Sequence, residues 1–260
     1  TDALPQGHAG ALIGLADRLD SICGLFAVGR KPTGAADPYG LRRAAIAVIQ
    51  LISAKGYRFS LSGAVNESLL LLESKIAHVK RKPGEPLVRE QILEFFRGRL
   101  ESLWREKHRG DVVDAVLAAG FDDLVAARRR LDALSEEVLG PDFSALAATF
   151  KRVANIVEKQ GKDVQAGPVD ASKLVDPAEL ALNAAVDKVR DAVLSQVAAD
   201  DFSGAMATVR SLKPAVDGFF AHVMVMAEDR SLRENRLRLL MSIGGLFGSI
   251  ADFGRIKADA

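Results

Sequence analysis

Bond-making chemistry needs reactive side chains at workable spacing, and this chain offers few. Its histidines are His8, His78, His108 and His222, with none paired at helical spacing and none beside an aspartate. A zinc or di-metal centre needs several ligands so arranged, and the pattern for one is missing. No glycine-rich loop follows a strand pattern, which removes phosphate-cradling loops and dinucleotide folds, and Gly-x-Ser-x-Gly is absent too. The one cysteine, Cys23, allows neither an intrachain disulfide nor a multi-thiolate site. Its surroundings, Ile22-Cys23-Gly24-Leu25-Phe26, predict a buried thiol acting as a small hydrophobe. His222 sits in an otherwise apolar helical pattern, as a packed or capping side chain. What remains is binding rather than bond-making.

Three basic clusters are candidates for it. Lys151, Arg152, Asn155 and Lys159 form the first, with Lys151, Asn155 and Lys159 expected on one polar stripe away from Phe150 and Val153. The same stripe is also what an ordinary solvated helix face looks like. Arg233, Asn235, Arg236 and Arg238 form the second, where pairing with Glu228, Asp229 and Glu234 is the alternative use. Arg30-Lys31-Pro32-Thr33-Gly34 with Arg42 and Arg43 forms the third: an anion-binding site, or a rigid connection whose arginines pair with acids such as Asp37. Phe219 and Phe220 offer either a stacking face or core. Lys80-Arg81-Lys82 and Arg128-Arg129-Arg130 read as solvated charge. A net charge of +1 means that any anion-binding surface is a local patch balanced by acid elsewhere.

The elements that must position these side chains are helical. Of the 260 residues, 48% are hydrophobic and only 6% aromatic, a balance that favours packed helices over sheet. Asp37-Pro38 predicts a helix start, with Leu41, Ala44, Ala45, Val48, Ile49 and Ile52 on its buried face and Gly56 as its stop. Tyr57 to Gly63 reads as a turn or a lone extended piece. Helices are expected from about Asn66 to Val79, from Val88 to about Lys107, and over Asp111 to Ala119 and Phe121 to Leu134. Gly140-Pro141-Asp142 marks the expected domain boundary. Beyond it a bundle of about five helices is predicted. One carries Leu146, Phe150, Val153 and Val157. Another opens on the Asp176-Pro177-Ala178-Glu179 capping box, and a long final one runs through Phe247 and Ile250 to Phe253. No apolar run is long enough to span a bilayer and no signal peptide is recognisable, so a cytoplasmic setting is expected. The opening Thr1-Asp2-Ala3-Leu4-Pro5 does not look like a natural start, and a fragment of a longer polypeptide is expected.

Three stretches, in order, resemble the β subunit of bacterial two-subunit glycyl-tRNA synthetases. The first is Leu15-Ala16-Asp17-Arg18-Leu19-Asp20-Ser21 through Phe26 and Gly29 to Lys31-Pro32-Thr33-Gly34, then Asp37-Pro38 and Leu41-Arg42-Arg43. The second is Phe150-Lys151-Arg152-Val153-Ala154-Asn155-Ile156. The third is Val216-Asp217-Gly218-Phe219-Phe220, then Val223 to Asp229 and Leu232-Arg233-Glu234-Asn235-Arg236-Leu237. Together they span nearly the whole chain.

The resemblance implies an all-α fold in two parts. Residues 1–140 would hold the end of a domain resembling the His-Asp metal phosphohydrolases and the helices after it. Residues 141–260 would hold a DALR-type anticodon-binding bundle like that of arginyl-tRNA synthetases. Asp17 or Asp20 looks like the last ligand position of the phosphohydrolase pattern, and with the other ligands missing no metal is expected. The implied task is to grip tRNA for glycine, whose anticodons end in two cytosines, as part of a glycine–tRNA ligase. The α subunit would supply glycine activation with ATP and Mg, the whole would be a heterotetramer, and this chain would hold no cofactor and no catalytic centre. The implied tRNA-binding residues are Lys151, Arg152, Asn155, Lys159, Arg233, Asn235, Arg236, Arg30, Lys31, Arg42 and Arg43. Unstacked loop bases can be read on their pairing edges, with Arg and Lys holding phosphates. The competing reading is a helical interaction scaffold with no RNA role, and a degenerate phosphohydrolase stands third.

Overall fold

The computed structural model describes residues 4–76, 84–165 and 167–257; His78 and the Lys80-Arg81-Lys82 run lie outside them. Among the described residues the regular elements are all helical, as expected. They are α1 (His8–Ala27), α2 (Leu41–Lys55), α3 (Leu61–Ile76), α4 (Val88–Arg105), α5 (Gly110–Ala118), α6 (Leu124–Glu137), α7 (Phe143–Gln160), α8 (Pro177–Ala198), α9 (Phe202–Arg210), α10 (Lys213–His222) and α11 (Arg230–Gly248), with 3₁₀ turns at Ala171–Lys173 and Phe253–Arg255. The chain forms two compact units, residues 1–107 with 121–128, and residues 108–120 with 129–260. Gly140-Pro141-Asp142 is a turn between α6 and α7 within the second unit.

In the first unit α1 packs on α2, α3 and α4. Ala11, Leu15, Leu19, Ile22, Cys23 and Phe26 recur at helical spacing and are buried, giving α1 the apolar stripe that holds the unit together. Phe26 meets Phe95 of α4 with ring centroids 5.1 Å apart. Cys23 is fully buried, and burial pushes its thiol up to about 11 despite a hydrogen bond with Ser68.

Two helix starts differ from expectation. Gly40 adopts a left-handed conformation (φ 67°) at the N-cap, so α2 begins at Leu41 rather than at Pro38. Asp37 still caps it from outside, accepting from the N–H groups of Leu41 (2.8 Å) and Arg42 (3.0 Å). Likewise α3 begins at Leu61. The Ser60 hydroxyl accepts from the N–H of Gly63, and Asp122 accepts from Leu61 through its carbonyl and from Ser62 through its carboxylate.

In the second unit the core is aromatic. Phe150 of α7 lies 5.0 Å from Phe247 of α11 and 5.6 Å from Phe253, and the latter two rings are 5.4 Å apart. All three are buried, and pairs at this spacing add to what burial alone gives. The last helix stops at Gly248, earlier than expected, because Phe253 reaches this cluster from a 3₁₀ turn. The capping box of α8 is formed: Asp176 accepts from the N–H of Ala178, and Glu179 accepts from those of Val175 (2.7 Å) and Asp176 (2.9 Å). Glu179 is fully buried and pairs with Arg236 of α11, so one carboxylate both caps α8 and ties it to α11. The Arg128–Arg130 run is not simply solvated. Arg129 pairs with Asp200 at 2.9 Å, and Arg130 is buried and donates to the carbonyl of Gly120.

The tail after α11 is stitched to α5. The N–H of Asp252 donates to the carbonyl of Ala115, and that of Lys257 donates to Asp111 at 2.8 Å. Burial pushes the Asp111 carboxyl up, but bonds from Arg109, Lys257 and Val112 outweigh it and hold it below the ordinary carboxylate range.

Removing one partner of a buried ion pair costs about 3–5 kcal/mol, against about 1 kcal/mol for losing an N-cap. Thermal unfolding of the second unit is therefore expected to fall by roughly 10 °C in Glu179→Ala and only a few degrees in Asp176→Ala. Because Asp111 is held below its unfolded value near about 3.9, its contribution is full above that pH and is lost as pH drops below it. Asp111→Asn should speed hydrogen exchange at the Lys257 amide at neutral pH, and should make tail exchange less sensitive to acid than in the unsubstituted chain.

Candidate nucleic-acid interface

The roll of α7 decides which of its polar residues face outward. Phe143, Leu146, Ala147, Phe150 and Val153 are buried, which turns Arg152, Asn155 and Lys159 to the opposite side. Lys151 sits at the flank instead. Its ammonium donates to the carbonyl of Ile256 at 3.0 Å, so it clamps the tail. The expected stripe of Lys151, Asn155 and Lys159 is thus a stripe of Arg152, Asn155 and Lys159. Among the described residues, these three side chains have no hydrogen-bond or ion-pair partner.

Arg152 is nevertheless held in place. Its guanidinium carbon lies 4.0 Å from the centroid of the Phe220 ring, close contact for a cation over an aromatic face. Phe219 is fully buried, whereas Phe220 is half-buried, so of the two only Phe220 has surface to share. Their rings meet edge to face at 5.5 Å, which steadies Phe220 from behind. Beside the Arg152–Phe220 pair opens a recess of about 330 Å³ lined by Ala148, Thr149, Arg152, Asp217, Phe220 and Ala221. Asp217 accepts from the Thr149 hydroxyl at 2.7 Å and from Lys213 at 2.5 Å. Burial raises its pKa, but those bonds and the charges of Lys213 and Arg152 outweigh it and hold the carboxyl below its ordinary range. Sequence reasoning missed Asp217 and Thr149. A Lys213–Asp217 spacing of four residues was the available signal for the former, and Thr149 gave none.

The second cluster is spent inside the fold, against expectation for a tRNA contact. Asn235 is fully buried, its amide donating to the carbonyl of Asp170 (3.0 Å) and accepting from the N–H of Asp170 (2.8 Å). Arg236 is 11% exposed, paired with Glu179 and donating to the carbonyl of Met224. Arg233 donates to the carbonyl of Ala227, and Arg238 to that of Gln165. Backbone carbonyls and a distant acid take up these arginines, and Arg238 also meets Glu234 at 3.9 Å, the neighbouring pairing given as the alternative.

The third cluster lies in the first unit and is divided. Lys31 bonds Gln91 (2.8 Å) and Glu85 (3.3 Å), and Arg42 donates to the carbonyl of Gly34. Arg30 is exposed and without a side-chain partner among the described residues. Arg43 is exposed beside an open recess of about 630 Å³ that Asp17, Arg18 and Tyr39 also line. Asp17 and Asp20 are exposed on α1. Among the described residues no three His, Cys, Asp or Glu side chains are grouped as a metal ion requires. His222 is exposed in the last turn of α10, with no side-chain hydrogen bond among the described residues. No helix among the described residues is long and apolar enough to cross a membrane.

The family model described as glycyl-tRNA synthetase beta subunit matches residues 1–118, and that of the DALR anticodon binding domain matches residues 146–251. The chain is 63% identical over 258 residues to the glycine–tRNA ligase beta subunit of Myxococcus xanthus (strain DK1622), covering 99% of this chain and 37% of that protein. Against the beta subunit of Anaeromyxobacter dehalogenans (strain 2CP-C) the figure is 50% over 259 residues, all of this chain and 36% of that one. Against that of Geobacter metallireducens (strain ATCC 53774 / DSM 7210 / GS-15) it is 47% over 255 residues, 98% and 36%. The chain thus spans a little over a third of the length of these relatives.

Losing the Asn235 amide strands a backbone N–H and a C=O at Asp170, each costing about 1–3 kcal/mol if water does not reach it. Asn235→Ala is expected to destabilise the second unit by about 2 kcal/mol in a urea titration, with nucleic-acid affinity of the folded protein unchanged.

Proposed function

The chain belongs to the glycyl-tRNA synthetase β-subunit family, and we propose that it supplies tRNA binding to a glycine–tRNA ligase, its second unit taking the anticodon loop. The observation that carries this is the outward face of α7. In a chain of net charge +1, Arg152, Asn155 and Lys159 stand together, exposed or half-buried and with no hydrogen-bond or ion-pair partner among the described residues, within the stretch matched by the anticodon-binding model. A cation already paired with an acid has little left for a phosphate, so unpaired cations on one face are what an RNA backbone would meet. Arg152, Asn155 and Lys159 are the tRNA-binding residues on this reading, with Arg30 and Arg43 of the first unit as further phosphate contacts.

The rest of the assembly is part of the same proposal. Glycine activation, with ATP and Mg, belongs to an α subunit, the substrate is tRNA for glycine, and the setting is the cytoplasm. The first unit favours a protein-facing role in that assembly. Leu70 and Leu71 on α3 are 60% and 78% exposed, and Ile13 on α1 is 70% exposed.

The test is a binding titration of the 260-residue chain with tRNA for glycine and with the same tRNA carrying both anticodon cytosines replaced. Replacement is expected to weaken binding by more than about tenfold, since each lost base contact is worth about 1–3 kcal/mol. Arg152→Ala and Lys159→Ala should each flatten the salt dependence of log K by about 0.7. Equal affinity for the two RNAs would overturn anticodon recognition by this chain.

A further inference from the structure

The recess beside Arg152 combines features that a phosphate site does not need. One side is a guanidinium plane held on the Phe220 ring at 4.0 Å, and Arg planes and aromatic faces are both surfaces on which unpaired bases stack. Another side is the Asp217 carboxylate, which would repel a phosphate. Each of its oxygens already accepts one hydrogen bond, from Thr149 and from Lys213, and this fixes its direction while leaving lone pairs free. Its side chain is 45% exposed. The remaining lining at Ala148 and Ala221 is apolar, and the volume of about 330 Å³ is at the small end for a ligand site.

We propose that this recess takes one unstacked nucleobase bearing an exocyclic amino group, in a glycine anticodon a cytosine, with its ring against Arg152 and its amino group donating to Asp217. The assignment rests on the tRNA-binding role of the second unit. An ionised carboxylate only accepts, so it rewards the cytosine amino group and opposes the carbonyl that uracil presents at the same place. Lys213 and Thr149 are positioning residues, and Phe220 holds the stacking plane.

The experiment is a fluorescence titration of the full chain with anticodon stem-loops of tRNA for glycine, in which each of the two cytosines is separately replaced by uracil. The unsubstituted chain is expected to prefer cytosine by about tenfold or more at one of the two positions. Asp217→Asn, whose amide both donates and accepts, should reduce that preference to about twofold or less. Lys213→Ala, which removes one of the two bonds that fix the carboxylate's direction but keeps the carboxylate, should lower the preference less than Asp217→Asn does. Phe220→Leu should weaken all three stem-loops by about tenfold with their ratios unchanged. Thermal melts of the variants confirm that each is folded; should Asp217→Asn be unfolded, loss of the preference in Asp217→Ser is the expected result in its place. A folded Asp217 variant that keeps the full preference overturns the base slot while leaving tRNA binding standing. An unsubstituted chain that binds no stem-loop overturns both.

Discussion

Packing Phe150 against Phe247 and Phe253 fixes the roll of α7, and most of what the second unit presents to its surroundings follows from that roll. A helix rotated by one position would bring Lys151 out and draw Arg152 towards the flank. In the observed roll Lys151 reaches the tail carbonyl of Ile256, and Arg152 reaches over to Phe220 on α10. The three rings come from α7, α11 and the 3₁₀ turn that follows, so they also set how far the tail can travel before it must return to the core.

Charge is distributed by the same logic. α11 carries four arginines in its first turns, yet it faces inward through Asn235 and Arg236 and serves as wiring between α8, α11 and the loop at Asp170. Buried charge demands a partner, and Glu179 supplies it while also capping a helix. On the outer side of α7 the nearby acid, Asp217, is bonded to Thr149 and Lys213 rather than to Arg152, and among the described residues Arg152, Asn155 and Lys159 have no hydrogen-bond or ion-pair partner. A nearly neutral chain can thus carry a basic face without being basic overall.

How much of this was legible depended on how local each cause was. The Asp176–Glu179 box lies within four residues and is legible in the sequence, as is the apolar face of α2 through Leu41, Ala45, Val48, Ile49 and Ile52, because helical spacing needs no knowledge of what packs on it. The start of α3 was misplaced because Asp122, far along the chain, supplies part of its cap. α2 was started too early because a left-handed Gly40 intervenes between Asp37 and the helix it caps. Asn235 and Arg236 looked like a surface cluster since their partners, Asp170 and Glu179, are 65 and 57 residues away. The pairing of Thr149 with Asp217 is hidden for the same reason: their bond spans 68 residues.

The stitching of the tail to α5 carries a consequence for the order of assembly. The Lys257–Asp111 hydrogen bond closes a separation of 146 residues, and the Arg109 side chain reaches the Lys257 carbonyl across 148. Contacts so distant form late, because the chain loses its freedom before it gains the bond. During synthesis α5, with Val112, Val113 and Val116 on its buried side, must wait until the residues around Lys257 have been made. The contacts within the first unit draw on residues no later than 128, so they can form while the rest is still being made. The nascent chain therefore passes through a stage in which the contacts of the first unit are formed and α5 is still an unclosed apolar helix, the stage at which a holding chaperone would have something to bind.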